Sequence, residues 1–98
     1  MNIFILNGSE MINKNSCHEH LSKILRLPEY YGNTLDSLYD CVSTMFIAKE
    51  TEITLCGFNS LPDDLRKYGQ KITQIFIRVA YELAHVKDGS MMILNILN

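Results

Sequence analysis

The chain has 98 residues, of which 47% are hydrophobic and 20% charged, a composition that indicates a single globular domain, 1–98, and excludes a disordered protein. The formal net charge of −2 is small, but charge is unevenly distributed: between Arg26 and Lys49 the chain has three acidic residues and no basic residue. Such a segment argues against a nucleic-acid partner, whose phosphates require a basic surface, and favours a basic partner.

Cysteine usage and hydropathy indicate the cellular compartment of the protein. Cys17, Cys41 and Cys56 form an odd set without CxxC spacing, and each lies among apolar neighbours, as a small buried hydrophobe would. No stretch approaches the roughly 18 apolar residues of a membrane span, and the N-terminus lacks the basic region of a secretion signal. We therefore expect a cytoplasmic protein, made in a reducing compartment and without a membrane partner.

The first predicted elements are a strand and a helix. Residues 3–6, Ile-Phe-Ile-Leu, form a short apolar run followed by Asn-Gly, which predicts a strand near 2–6 that is buried on both faces of a parallel sheet. Ser16 and Glu19 have the spacing of a capping box, so we expect a helix that begins at Ser16. Pro28 ends this helix because the residue before a proline avoids helical geometry.

A turn and a second helix follow. Residues 30–33, Tyr-Tyr-Gly-Asn, are typical of a turn, and either Asn33 or Thr34 can cap the helix after it. One stripe of this helix is apolar, and the opposite stripe is polar at the spacing i, i+3, i+4 and i+7. The apolar stripe consists of Leu35, Leu38, Val42 and Met45, and the polar stripe of Asp36, Tyr39, Asp40 and Ser43.

The second half of the chain predicts two more strands and two more helices. Residues 52–58 have the pattern of a strand. Ser60 and Pro62 are typical of a helix start. We expect Gly69 to divide the helical sequence into a short helix and a longer one, 70–84. Asp88 and Gly89 predict a turn into a third strand, 91–97, also buried on both faces. The order β-α-α-β-α-α-β predicts an α/β fold: a small three-stranded, mainly parallel sheet packed with about four helices.

Nothing in the sequence indicates catalysis. The run from Cys17 to His20 places four potential metal ligands in succession. Neighbours on one helical turn cannot converge on a tetrahedral ion. We interpret the run as a helix start with a half-buried cysteine and surface histidines, and His85 as a residue suited to a helix C-terminus. No phosphate-binding glycine loop, nucleophile elbow or HExxH motif occurs. We expect no catalytic residue, no metal, no cofactor, and a protein that is not an enzyme.

Asp36 and Asp40 are the strongest candidates for a functional role. Asp36 falls in the first helical turn, where a carboxylate stabilises the helix. Asp40 lies a full turn further in, has low helix propensity, and repels Asp36 by roughly a few tenths of a kcal/mol. Tyr30, Tyr31 and Tyr39 surround the pair with the aromatic anchors that interfaces favour. The pattern predicts a binding face for a cationic site, with a solvated helix face as the alternative.

The segment LPEYYGNTLDSLYDC, residues 27–41, closely resembles the signature of the barstar family, intracellular protein inhibitors of secreted guanyl-specific ribonucleases. The family pattern runs approximately LPEYYG-x-N-L-D-A-L-W-D-C. A weaker likeness covers the rest of the chain at Asn7-Gly8, at His18 and at residues 74–76, Gln-Ile-Phe. The positions that match the signature are Leu27, Pro28, Glu29, Tyr30, Tyr31, Gly32, Leu35, Asp36, Leu38, Asp40 and Cys41. The resemblance implies a barstar-like fold.

The resemblance also implies a role for the acidic helix. In such inhibitors the helix and the loop before it plug the basic active site of the ribonuclease. Asp40 would take the place of the scissile phosphate, Asp36 would add a second carboxylate, and Tyr30 would pack on the catalytic histidine. The other implied partner-binding residues are Tyr31, Asn33, Thr34, Tyr39, Ser43, Thr44, Ile75 and Arg78.

Among the positions that depart from the family pattern, four bear on which target is bound. Thr34, Tyr39 and Thr44 stand where the family has asparagine, tryptophan and glycine, and Arg78 stands near a glutamate that reaches the enzyme's basic surface. Besides a basic extracellular-type ribonuclease, two alternatives stay open. One is an immunity or regulatory protein for another basic target, such as a DNA-cleaving toxin, and the other is a small enzyme that uses Cys56 or the aspartates.

Overall fold

The computed structural model describes residues 2–86 and 89–97. The sheet has the order β1-β2-β3, and both neighbouring pairs of strands are parallel. The predicted α/β class and the three-stranded parallel sheet are therefore confirmed. Of the turn predicted at Asp88-Gly89, Asp88 lies outside the described residues. The elements, in chain order, are β1 (Asn2–Asn7), α1 (Lys14–Leu25), α2 (Leu35–Met45), β2 (Glu50–Cys56), α3 (Asp63–Ala84) and β3 (Met91–Leu97), with short 3-10 helices at Gly8–Glu10 and Phe58–Ser60.

The helices cover only one face of the sheet. Right-handed crossovers that step the same way across a sheet place their helices on the same side. On the face of the sheet that the helices cover, Leu6 and Ile53 have no exposed surface. On the opposite face, Ile3 and Ile5 are 61% and 57% exposed. On β3, Ile93 is likewise exposed. The prediction that the first and last strands are buried on both faces is wrong, because an apolar run does not reveal how many faces are covered.

The described residues form three α-helices, rather than the four predicted. Gly69 does not interrupt α3, which runs for 22 residues from Asp63 to Ala84 and has His85 as its C-cap. Gly69 is buried, and a Cβ atom there would lie 2.4 Å from Leu61 Cδ1. The glycine therefore permits close packing of α3 on the segment before it and does not divide the helix.

The starts of α1, α3 and β2 differ from the predictions. Ser16 is the second member of the capping box: its amide donates to Asn13 Oδ1 at 2.8 Å, and its Oγ accepts from the Asn13 amide at 3.0 Å. α3 begins after Pro62 without a side-chain cap, and Ser60 lies in the preceding 3-10 helix. β2 covers 50–56 instead of 52–58 because Gly57, with a φ of 73°, ends the strand.

The core between α2 and α3 leaves the polar stripe of α2 on the outside. Leu38 and Val42 of α2 and Ile72, Phe76 and Val79 of α3 have no exposed surface. The predicted apolar stripe of α2 is confirmed: its other two residues, Leu35 and Met45, are partly buried against the core. None of the described helices combines the length and the apolar character that crossing a membrane requires.

Candidate functional site

The loop before α2 is tied to the start of that helix. Thr34 is the N-cap, and its Oγ1 accepts a hydrogen bond from the Ser37 amide at 3.1 Å. Ser37 Oγ in turn accepts from the Gly32 amide at 2.8 Å. Asn33 lies between Gly32 and Thr34 and has a φ of 56°, a left-handed conformation that asparagine tolerates better than most residues. Of the two predicted caps, Thr34 caps the helix and Asn33 turns the chain.

The neighbouring tyrosines of this loop have opposite environments. Tyr30 is 80% exposed, whereas Tyr31 is 9% exposed. The Tyr31 hydroxyl is hydrogen-bonded to His18 Nδ1 of α1, and His18 Nε2 is hydrogen-bonded to the Tyr68 hydroxyl of α3. Burial raises the pKa of Tyr31 and lowers the pKa of His18. Tyr31 therefore anchors the loop to α1 and α3, while Tyr30 presents its ring to solvent.

The run from Cys17 to His20 serves the structure of α1. Cys17 and His18 are 1% and 3% exposed, so the interpretation of His18 as a surface residue is wrong. Its burial is tolerated because two tyrosine hydroxyls satisfy both ring nitrogens. His20 Nε2 accepts a hydrogen bond from the Asn7 amide at 2.9 Å. Within residues 2–86 and 89–97, no three potential metal ligands come together.

Asp36 and Asp40 lie on the exposed side of α2 and face a groove between α2 and α3. Asp36 is the second residue of the helix, where the positive end of the helix dipole stabilises its carboxylate. The α2–α3 groove has a volume of about 640 Å³ and lies against two of the predicted residues of α3, Ile75 and Arg78. Its remaining lining residues are Leu35, Tyr39, Lys71 and Gln74.

Tyr39 connects the two walls of the α2–α3 groove. Its hydroxyl donates to both carboxylate oxygens of Glu82, at 2.6 and 2.8 Å. The Arg78 guanidinium lies 4.5 Å from the centroid of the Tyr39 ring, and its Nε is 3.3 Å from Glu82 Oε1. The hydrogen bond to Glu82 raises the pKa of Tyr39. The aromatic side chain is thus fixed in orientation instead of lying free on the surface.

Ser43 and Thr44 continue the same side of α2 beyond Asp40. Both hydroxyls donate to the Asp40 carbonyl oxygen, at 3.2 and 3.0 Å, so they are occupied within the helix. Ser43 also lines a smaller pocket of about 220 Å³ at this end of the two helices, together with Ile47, Val79, Glu82, Leu83 and Val86.

Three residues of this region are not predicted as site residues from the sequence: Lys71, Gln74 and Glu82. Lys71, Gln74 and Arg78 recur at helical spacing on α3, which is a usable signal for a shared face. The spacing does not reveal that this face meets Asp36 and Asp40, since that depends on how α3 packs against α2.

The chain is similar to a protein-family model and to a curated bacterial protein. The family model described as Barstar (barnase inhibitor) matches residues 1–94. A Bacillus subtilis (strain 168) protein named "Putative ribonuclease inhibitor YrdF" is 28% identical over 83 residues, which cover 85% of this chain and 90% of that protein. Both similarities extend well beyond the acidic helix and its loop, over most of the chain.

Proposed function

The chain belongs to the barstar family, and from this premise we propose that it inhibits a ribonuclease by occupying the enzyme's basic active site with α2 and the loop before it. The observation that carries this proposal is the position of Asp40, an exposed carboxylate one full turn after Asp36 on the wall of an open groove. Among the described residues, neither carboxylate has a salt-bridge partner within 4.0 Å. Two such charges suit a partner whose site binds a polyanion.

In this proposal Asp40 mimics the scissile phosphate. Carboxylates and phosphates both accept short, charge-assisted hydrogen bonds from arginine, lysine and protonated histidine. Asp36, whose Cβ lies about 5–6 Å away at this helical spacing, meets a neighbouring cation at the rim. The repulsion between the two carboxylates is relieved when those cations arrive.

The rigidity of the loop supports the same function. Thr34, Ser37 and Gly32 are linked by hydrogen bonds at the start of α2, and Tyr31 anchors the loop through His18. A surface that is already ordered loses less conformational entropy on binding, so more of the interaction energy appears as affinity.

The surrounding side chains complete the proposed contact surface. Tyr30, the most exposed tyrosine of the loop, packs its ring on the catalytic histidine of the enzyme, because aromatic rings bury large areas with few rotatable bonds. Tyr31 contributes indirectly, as the anchor of the loop. The other contributors are Asn33, Thr34, Tyr39, Ser43 and Thr44 from the loop and α2, and Ile75 and Arg78 from α3.

We place this inhibitor in the cytoplasm, with a basic extracellular-type ribonuclease as its partner. There it would protect cellular RNA from an enzyme that is made for export. The cysteines support this compartment because Cys17, Cys41 and Cys56 are all free thiols, which persist in a reducing environment.

The experiment is an inhibition titration against a panel of secreted guanyl-specific ribonucleases and one DNA-cleaving nuclease, with guanosine 3′-monophosphate as a competitor. We expect one ribonuclease to be inhibited, with an apparent inhibition constant that rises in proportion to the nucleotide concentration, because both ligands occupy the same site. Asp64→Asn on α3, an exposed aspartate outside the groove, is the control and should inhibit like the wild-type chain.

Inhibition that the nucleotide does not affect would exclude an active-site plug. Inhibition of the DNA-cleaving nuclease alone would assign the surface to a different basic target.

A further inference from the structure

The α2–α3 groove carries opposite charges on its two walls. Asp36 and Asp40 lie on the α2 wall, and Lys71 and Arg78 lie on the α3 wall. Among the described residues no salt bridge within 4.0 Å crosses the groove. The two signs therefore do not neutralise each other through direct contact, and both are presented to a partner.

Arg78 is held at the groove with hydrogen-bonding capacity left over. Its guanidinium stacks 4.5 Å from the centroid of the Tyr39 ring, and its Nε lies 3.3 Å from Glu82 Oε1, yet the side chain is 68% exposed. A guanidinium has five N–H donors and binds a carboxylate through two parallel hydrogen bonds. Among the described residues, Glu82 is the acidic partner of Arg78 and lies against Nε. The exposed guanidinium can therefore still donate from its terminal nitrogens to a carboxylate of another molecule.

We propose, resting on the proposed function, that Arg78 determines which ribonuclease is bound: the partner must present a carboxylate to Arg78 beside the cations that receive Asp36 and Asp40. A ribonuclease with a uniformly basic rim would bring cations against Arg78 and Lys71, and the repulsion would reject it. The partner surface that fits this groove therefore carries both positive and negative charges. Tyr39 acts as a positioning residue, because it holds both Glu82 and the guanidinium in place.

An internal role is a weaker explanation for Arg78. Glu82 already accepts two hydrogen bonds from Tyr39, so its orientation does not depend on Arg78 alone. Arg66, the comparable arginine of α3, pairs with Asp63 at 2.9 Å and does not line the groove. It offers a matched control, since it has the same chemistry on the same helix in a similar exposed ion pair.

The test is a double-mutant cycle with a guanyl-specific ribonuclease that the chain inhibits. In the enzyme, each acidic residue within about 10 Å of the cleft, roughly one Debye length at 0.1 M salt, is changed in turn to its amide and to lysine. In the inhibitor, Arg78→Glu and Arg78→Gln are compared with Arg66→Glu. Asp40→Asn is measured beside them and reports on the proposed function itself.

We expect Arg78→Glu to raise Kd at least about tenfold, Arg66→Glu by less than about twofold, and one acid-to-lysine change in the enzyme to restore the binding of Arg78→Glu. An equal loss for Arg78→Glu against every enzyme variant would overturn the inference, because Arg78 would then act only within the inhibitor. Unchanged or tighter binding of Arg78→Glu, together with lost inhibition by Asp40→Asn, would overturn the inference and leave the proposed function standing. If Asp40→Asn also bound normally, both would fall.

Discussion

The hydroxyl of Tyr39 donates to both carboxylate oxygens of Glu82, 43 positions further along the chain, at 2.6 and 2.8 Å. This contact joins α2 to α3 at the surface, in addition to the packing of the two helices in the core. The helix that carries Asp40 and the helix that carries Arg78 are therefore held at a fixed spacing, which a rigid contact surface requires.

Tyr39→Phe tests this link, because the change keeps the ring beneath Arg78 and removes the hydroxyl. The hydrogen bond to Glu82 raises the pKa of Tyr39 above 10.0, so the folded chain favours the protonated phenol. Its contribution to the free energy of unfolding is complete below pH 10.0 and is lost as the pH rises through the raised pKa. Urea unfolding should show the wild-type chain as more stable than Tyr39→Phe near neutral pH, with a difference that shrinks above pH 10.0. A difference that is constant with pH would contradict the link.

His18 should make the stability of the fold sensitive to mild acid. Burial lowers the pKa of His18 below 6.5, so the unfolded chain binds this proton more readily than the folded chain. The free energy of unfolding then falls as the pH drops below 6.5, until the pH passes the lowered pKa. We expect the stability advantage of the wild-type chain over His18→Gln to be greatest at neutral pH and to shrink in acid. If chemical denaturation gives the same difference at all pH values, His18 does not titrate in this way.

The cysteines should separate into buried and accessible thiols. Cys41 is 3% exposed, so Cys41→Ala should lower the free energy of unfolding by about 1–2 kcal/mol, as expected for a small buried group. Cys56 is partly exposed on the open face of the sheet, and Cys56→Ala should cost less. Inhibition should persist in both variants, because neither thiol lies on the proposed contact surface.

Alkylation of the native chain checks the same assignment. Cys56 should react before Cys17, whose pKa burial raises to about 11. This order differs from the expectation, drawn from the sequence, that Cys56 is a buried residue. Rapid modification of Cys41 in the folded chain would show that α2 is more open than its packing indicates.

Association with the ribonuclease should depend on salt. The segment between Arg26 and Lys49 has no basic residue, so its carboxylates attract a basic partner over distances of about one Debye length. We expect the association rate constant in stopped-flow mixing to fall as ionic strength rises. The double variant Asp36→Asn/Asp40→Asn should associate more slowly and with a weaker salt dependence. A rate constant that does not change with salt in the wild-type chain would exclude electrostatic steering.

The order and type of most helices and strands follow from the sequence. Their exact boundaries do not, nor does the number of sheet faces that the helices cover. Apolar runs predict β1 and β3, and the alternating stripes predict α2 with its buried Leu38 and Val42. Whether a strand is covered on one face or two depends on the direction of the crossovers, which no local pattern contains. Gly69 is a helix-breaking signal in isolation, but the contact with Leu61 makes it a close-packing residue in the middle of α3.

The candidate site was predictable on α2 and much less so on α3. Asp36 and Asp40 are found at positions that helical periodicity assigns to the exposed side. Periodicity does not predict the positions of Glu82 and Lys71 beside α2, because these positions depend on how α3 packs against α2. Tyr30 and Tyr31 are adjacent and identical in type, and only the buried partner His18 distinguishes the anchor from the exposed ring.

Asp40→Ala tests whether Asp40 acts as the phosphate mimic, because stability and binding should respond in opposite directions. Alanine is the better helix former and the repulsion with Asp36 disappears, so the free energy of unfolding should hold or rise by about a few tenths of a kcal/mol. Binding should weaken by about 2–5 kcal/mol, a range drawn in part from complexes of this same family, since the partner's cations are left desolvated and unpaired.

The decisive measurement is therefore the Kd of Asp40→Ala for an inhibited guanyl-specific ribonuclease, with its thermal unfolding recorded in the same buffer and Asp64→Asn as the control. We expect a loss of at least roughly thirtyfold in affinity at unchanged or slightly higher stability. An unchanged Kd for a fully folded Asp40→Ala would contradict it, because Asp40 would then be an ordinary solvated residue of α2.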